Sequence, residues 1–88
     1  MNWIVRIHDG AAKQLKAIPP DRRQRVVDDI AAFEDDPFRG LVKQLKGKAH
    51  KGHYRKVSGR YRIIFKPIHS TNTVEVLAVL LRNERTYR

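Results

Sequence analysis

Along the first residues, Trp3, Val5 and Ile7 alternate with Ile4 and Arg6, the period-two pattern of a strand over 2–8. The period then lengthens. Asp9 is placed to cap a short helix running to about Ala17, with Ala12, Leu15 and Ile18 on one side. The pair Pro19-Pro20 ends it, and a second helix is predicted from about Asp21 to Asp35. Val26, Ile30 and Phe33 recur there at i, i+4 and i+7, Val27 and Ala31 widen the stripe, and Pro37 closes the segment. Residues 37–50 keep no period, and Gly40 and Gly47 interrupt any helix; Leu41 and Leu45 are expected to tuck under the domain edge. Three strands follow, at about 51–57, 60–67 and 73–81. The run VEVLAVLL, apolar on both faces apart from Glu75, reads as a central strand covered on both sides.

The predicted architecture is therefore α+β: an N-terminal strand, a two-helix antiparallel hairpin, then antiparallel strands completing a small twisted sheet, with both helices on one face. The whole of 1–88 reads as a single domain with one modest core. If Ser58-Gly59 forms a two-residue turn, Val57 faces Arg60, Lys56 faces Tyr61, Arg55 faces Arg62 and His53 faces Ile64. Strand alternation then gives one face to Tyr54, Lys56, Tyr61, Ile63 and Phe65, suited to packing on the helices. The other face takes Lys51, His53, Arg55, Val57, Arg60, Arg62, Ile64 and Lys66. Arg55 opposite Arg62 would destabilise the pair by up to about 1 kcal/mol, and no acid lies between residues 37 and 74 to offset it. An anionic ligand is the expected remedy.

Charge distribution strengthens that expectation. The net charge is +10, which suggests a polyanionic partner. From Arg39 to Lys66 there are ten Lys and Arg and no acid, whereas six of the nine acids fall between Asp21 and Asp36. The acidic helices are a poor surface for a phosphate backbone, which disfavours a helix-turn-helix reader. Asp28, Asp29 and Glu34 read as a solvated face, and the four histidines lack a ligand spacing, so no metal and no cofactor is expected. With no cysteine there is no disulfide or thiolate chemistry. No secretion-signal pattern and no apolar run of about 20 residues is present. The expected location is the cytoplasm, with no membrane partner.

LKG at Leu45–Gly47, GHYRKVSGRYRIIF at Gly52–Phe65, VEVLAVLLR at Val74–Arg82 and ERTYR at Glu84–Arg88, in this order, resemble the RelE/ParE superfamily of toxins from toxin–antitoxin pairs, RelE more than ParE. The resemblance spans nearly the whole chain. It implies a RelE-like microbial RNase fold, a cognate antitoxin partner, and a toxin that enters the ribosomal A site, next to 16S rRNA, and cuts mRNA. It implies catalytic roles for Arg55, Arg62, Arg82 and Tyr87. Val57 stands where the family has a second basic residue. The surrounding Lys46, Lys48, Lys51, His53, Lys56, Arg60 and Lys66 are candidates for RNA contact.

Cleavage by 2′-OH attack needs a base, stabilisation of the phosphorane and an acid for the leaving 5′ oxygen. Arginine cannot be the base, so Arg55, Arg62 and Arg82 would hold the phosphate while the phenol of Tyr87, acidified by a cationic pocket, accepts the proton. Lys51, His50 or His53 could be the acid, or an arginine could act electrostatically alone. Plainer roles stand beside these: Tyr87 and Tyr61 as packing residues, Trp3 as core or interface, His50 and His53 as exposed side chains, Arg82 as a cap on the sheet edge. Two other functions fit the same charge pattern. One is a ParE-like inhibitor of DNA gyrase; the other is a non-catalytic module that binds nucleic acid or antitoxin.

Overall fold

The computed structural model describes residues 2–82. The first strand, β1 (Ile4–Ile7), leads directly into α1 (Asp9–Lys16). His8, not Asp9, is the N-cap. The strand delivers the chain straight into the helix: His8 N–H donates to Val76 O at 3.0 Å, so Asp9 becomes the first helical residue, where a carboxylate favours the positive end of the helix dipole. After the double proline, α2 runs Pro20–Ala31, and a 3₁₀ turn over Ala32–Glu34 replaces its predicted last turn. Proline is tolerated at the start of α2 because its missing N–H has no intrahelical acceptor there. Arg23 ties the two helices together. Its Nε and Nη2 donate to Ile18 O (3.1 and 2.9 Å), and Nη2 also reaches Lys16 O (3.2 Å).

The remaining elements are β2 (Val42–Gln44), β3 (Tyr54–Ser58), β4 (Tyr61–Ile68) and β5 (Thr73–Leu81). The sheet is five-stranded in the order β1-β5-β4-β3-β2. It is mixed: β1 pairs parallel with β5, and the other neighbours are antiparallel. The centre is β4, and β5 lies between it and β1. Strand β2 has no counterpart in the predicted elements. Three residues between Gly40 and Gly47 are too few to establish a period, and it is held by its partner, β3. Its pairing turns Leu41 outward, 71% exposed, so that side chain does not tuck under the edge.

Both helices cover one face. The core joins Ala11, Leu15 and Ile18 of the first helical turns to Val26, Ile30 and Phe33, and these to Tyr61, Ile63, Phe65, Val74, Val76 and Val79. Phe33 meets Phe65 with ring centroids 4.6 Å apart. Val27 and Ala31 face solvent instead of widening the stripe; α2 touches the sheet along one narrow line, so the flanking positions have nothing to cover them. Trp3 packs against this core, edge-on to His69 and Phe38.

The β3–β4 register differs from the expected one by two residues. Ser58 pairs with Tyr61, Val57 with Arg62, Lys56 with Ile63, Arg55 with Ile64 and Tyr54 with Phe65. Gly59 and Arg60 form the turn, and Gly59 adopts φ 59°. The first central position of a tight hairpin often requires positive φ, which glycine adopts at no steric cost. An even shift preserves every residue's face while changing its partner. Arg55 and Arg62 therefore share a face as predicted, but each stands opposite an aliphatic residue. The predicted head-on repulsion does not arise.

Candidate functional site

The helix-free face of the sheet carries the candidate site. Alternation from the observed pairs places Lys43 of β2, Arg55 and Val57 of β3, Arg62, Ile64 and Lys66 of β4, and Ala78 and Leu80 of β5 on this face. It is an apolar floor with cations set into it. Arg55, half-buried, lies opposite Lys43, and the two share a depression of about 300 Å³ with Leu41 and Val57. Lys43 was not among the predicted contacts. The signal that could have found it is its position one strand out from Arg55, which requires β2 to be recognised first.

Arg62 is only 4% exposed although it lies on the side away from the helices. Its Nη1 donates to the carbonyl of the neighbouring Tyr61 at 3.3 Å. Its Nε is buried and, among the described residues, has no hydrogen-bond acceptor. A buried polar group left unpaired costs on the order of 1–3 kcal/mol, more when charged. The fold thus holds a guanidinium with unused donor capacity next to Arg55.

Glu75 is the acid that alternation puts on this face, opposite Lys66. It is engaged at the far edge by Arg6 (4.0 Å) and His8 (3.5 Å), so among the described residues the Arg55–Arg62 end carries more positive than negative charge. Burial, then the charge of Lys66 and then that of His50, hold the His53 imidazole below its ordinary pKa. His50 and His53 lie edge to face, with centroids 6.0 Å apart.

The other predicted residues divide by position. Lys46, Lys48 and Lys51 line an open groove of about 520 Å³ in the loop before β3, at the end of the hairpin opposite its turn. Arg60 is exposed in the turn itself, and the Arg82 N–H donates to its carbonyl at 2.7 Å, bringing the end of β5 beside that turn. Lys56 is a correction to the predicted RNA contacts. It is buried on the helix-covered face, with Nζ 5.5 Å from the centre of the Phe33 ring, because its pairing with Ile63 commits it to the core side. There a cation–π contact takes the place of solvent. Tyr61 is a core residue. Tyr87 and the ERTYR ending lie outside the described residues. Among the described residues no three potential metal ligands come together, and no helix is long and apolar enough to cross a membrane.

No protein-family model matches the sequence, and no curated protein matches it significantly. Solved structures do match. The toxin–antitoxin complex RelBE2 from Mycobacterium tuberculosis superposes with TM-score 0.82 at 25% identity, covering 93% of this chain and 100% of that one. The chain has the RelE-like toxin fold. The archaeal RelE–RelB complex from Pyrococcus horikoshii matches the RelE-like chain with TM-score 0.80 at 24% identity, covering 96% of this chain and 99% of that one. A YoeB/ParE toxin from Agrobacterium tumefaciens matches with TM-score 0.74 at 16% identity, covering 91% and 99%. The RelE-like architecture is thus the predicted one, with β2 added and β1 closing the sheet in parallel.

Proposed function

We propose that this RelE-like chain is the toxin of a toxin–antitoxin pair, and that it is a ribosome-dependent endoribonuclease cleaving mRNA in the A site by 2′-OH attack. The observation that supports this best is the buried Arg62 with its unpaired Nε, set beside Arg55 on an apolar, otherwise cationic face. A planar guanidinium with free donors suits a phosphate, and a low-dielectric floor strengthens its hold on charge that develops in the transition state.

In this reading Arg62 and Arg55 bind the scissile phosphate and offset the phosphorane charge, and Arg82 contributes from the turn end. Tyr87 accepts the proton of the attacking 2′-OH. In the free protein His53 is held toward its neutral form and is poorly suited to donate, so Lys51 or His50 protonates the leaving 5′ oxygen. Lys43, Lys46, Lys48 and Lys66 guide the strand. The protein acts in the cytoplasm, and a cognate antitoxin restrains it, as the RelB-containing complexes of its structural neighbours suggest. An acidic, partly disordered antitoxin would cover the same arginines.

The test is to express wild type, Arg62→Ala and Tyr87→Phe in cells and to map 5′ ends of mRNA in a translating extract. Wild type arrests growth and leaves A-site cuts, and both variants do neither. Wild-type arrest without cuts defeats the proposal. A second reading, gyrase inhibition, draws on the similarity to the YoeB/ParE toxin; it predicts gyrase-linked DNA breaks in the same cells.

A further inference from the structure

A second cationic site lies on the helix-covered side of the sheet, away from the face described above. Where α2 passes over the β3–β4 turn, Asp21, Arg22, Arg25, Ser58, Gly59, Arg60 and Tyr61 enclose a cleft of about 240 Å³. The Arg25 side chain lies over the turn: a Cβ at Gly59 would stand 3.7 Å from its Cδ and Nη1. Arg22 and Arg25 of α2 and Arg60 of the turn thus line one cleft from two elements. Among the described residues none of the three has an ion-pair partner, although Asp21 stands on the rim.

The lining of the cleft provides a second, independent observation. Ser58 is 1% exposed, and its Oγ is buried and, among the described residues, has no hydrogen-bond partner. An exposed serine would lose nothing by this, but a buried hydroxyl left unpaired costs on the order of 1–3 kcal/mol. Three arginines, a buried serine with an unsatisfied hydroxyl and a tyrosine line one cleft, a donor-rich, positively charged set in a space sized for one small group. Arginine forks and hydroxyl donors together match the oxygens of a phosphate. A carboxylate would use fewer of these donors.

We propose that this cleft binds a single phosphoryl group, presented either by a small phosphate monoester or by the backbone of an RNA strand. The site is separate from Arg55 and Arg62 and does not depend on whether the chain cuts RNA. The test follows the backbone amides of Gly59 and Tyr61 by NMR in the intact chain. Three probes are titrated: inorganic phosphate, adenosine 5′-monophosphate, and a 2′-O-methyl ribohexanucleotide without terminal phosphates, which cannot be cleaved by 2′-OH attack. Saturable shifts at both amides are expected. Response to the first two probes alone identifies a monoester ligand, and response to the hexanucleotide identifies the RNA backbone.

Arg25→Ala weakens binding about tenfold, the loss expected for one charge-assisted hydrogen bond. Lys13→Ala, which removes the same charge from exposed α1, changes it less than about twofold. Ser58→Ala weakens binding while raising the denaturation midpoint, a combination that a purely structural role would not give. No saturable shift with any probe overturns the proposal. So does an equal loss in Lys13→Ala and Arg25→Ala, or an unchanged affinity in Ser58→Ala.

Discussion

Arg62 poses the sharpest question at the scale of single residues, because its placement is poor for stability and good for anion binding. A buried guanidinium with an unpaired Nε is a group whose removal should stabilise the fold. Arg62→Met, close in volume and apolar, is expected to raise stability by about 1–3 kcal/mol in urea unfolding. It should also reduce cleavage by at least ~10²-fold. A destabilised Arg62→Met would mean that the arginine serves packing instead. Phe33 is the opposite case. It is fully buried between Phe65 and Lys56, and Phe33→Ala should cost ~3–5 kcal/mol.

His53 carries a sign that can be checked. Its folded pKa is lowered, so at pH values between the folded and unfolded pKa the unfolded chain binds more protons. Stability should then rise with pH up to about 6.5, the unfolded value, and fall as pH drops through the folded pKa. His53→Gln should flatten that part of the stability profile. Phosphate bound nearby would offset the charge of Lys66 and raise the His53 pKa, visible as a move of its NMR titration midpoint to higher pH.

Among the elements, the β3–β4 hairpin decides most. Its turn uses Gly59 at φ 59°, and Gly59→Ala should cost about 1–2 kcal/mol, because a Cβ is disfavoured in the left-handed region. Shifting the turn by one position on each strand would restore the head-on Arg55–Arg62 pair that the observed register avoids. The C-terminal half of β5 depends on a different device. Beyond the four residues paired with β1, the Val79 N–H donates to Gln14 Oε1 at 2.7 Å, so a side chain of α1 completes what a strand would otherwise supply. Gln14→Leu leaves that N–H without its partner and should lower the urea midpoint by the equivalent of ~1 kcal/mol.

For the molecule as a whole, the sheet separates two kinds of surface: a side covered by helices, with the cleft at the β3–β4 turn, and a broad cationic side left open. RNA binding should therefore be strongly salt-dependent, with a log–log slope of about −0.7 per neutralised phosphate. Arg55→Ala should reduce the magnitude of that slope by about 0.7, whereas Lys56→Ala, which removes a buried side chain on the other face, should leave it unchanged. Oligonucleotide affinities measured from low to moderate salt, with both variants still folded, provide the comparison. An equal effect of the two would contradict the assignment of faces.

Much of this was legible in the chain alone. Period two in 2–8 and in the hairpin strands, the continuous apolar run of the last strand, period 3.6 in 9–35, and the proline pair between the helices specify the order of elements, because backbone geometry allows few alternatives to those patterns. Strand alternation placed Arg55 and Arg62 on one face and Tyr61, Ile63 and Phe65 on the other, and that survived the register shift because the shift was even. Other features depended on long-range partners. β2 exists because β3 offers it an edge, β1 is parallel because it pairs with the distant β5, and Lys56 is buried because Phe33 covers it. The unpaired Nε of Arg62 and the cleft under Arg25 are likewise decided only in three dimensions, since burial and hydrogen-bond satisfaction are properties of packed neighbours and not of local sequence.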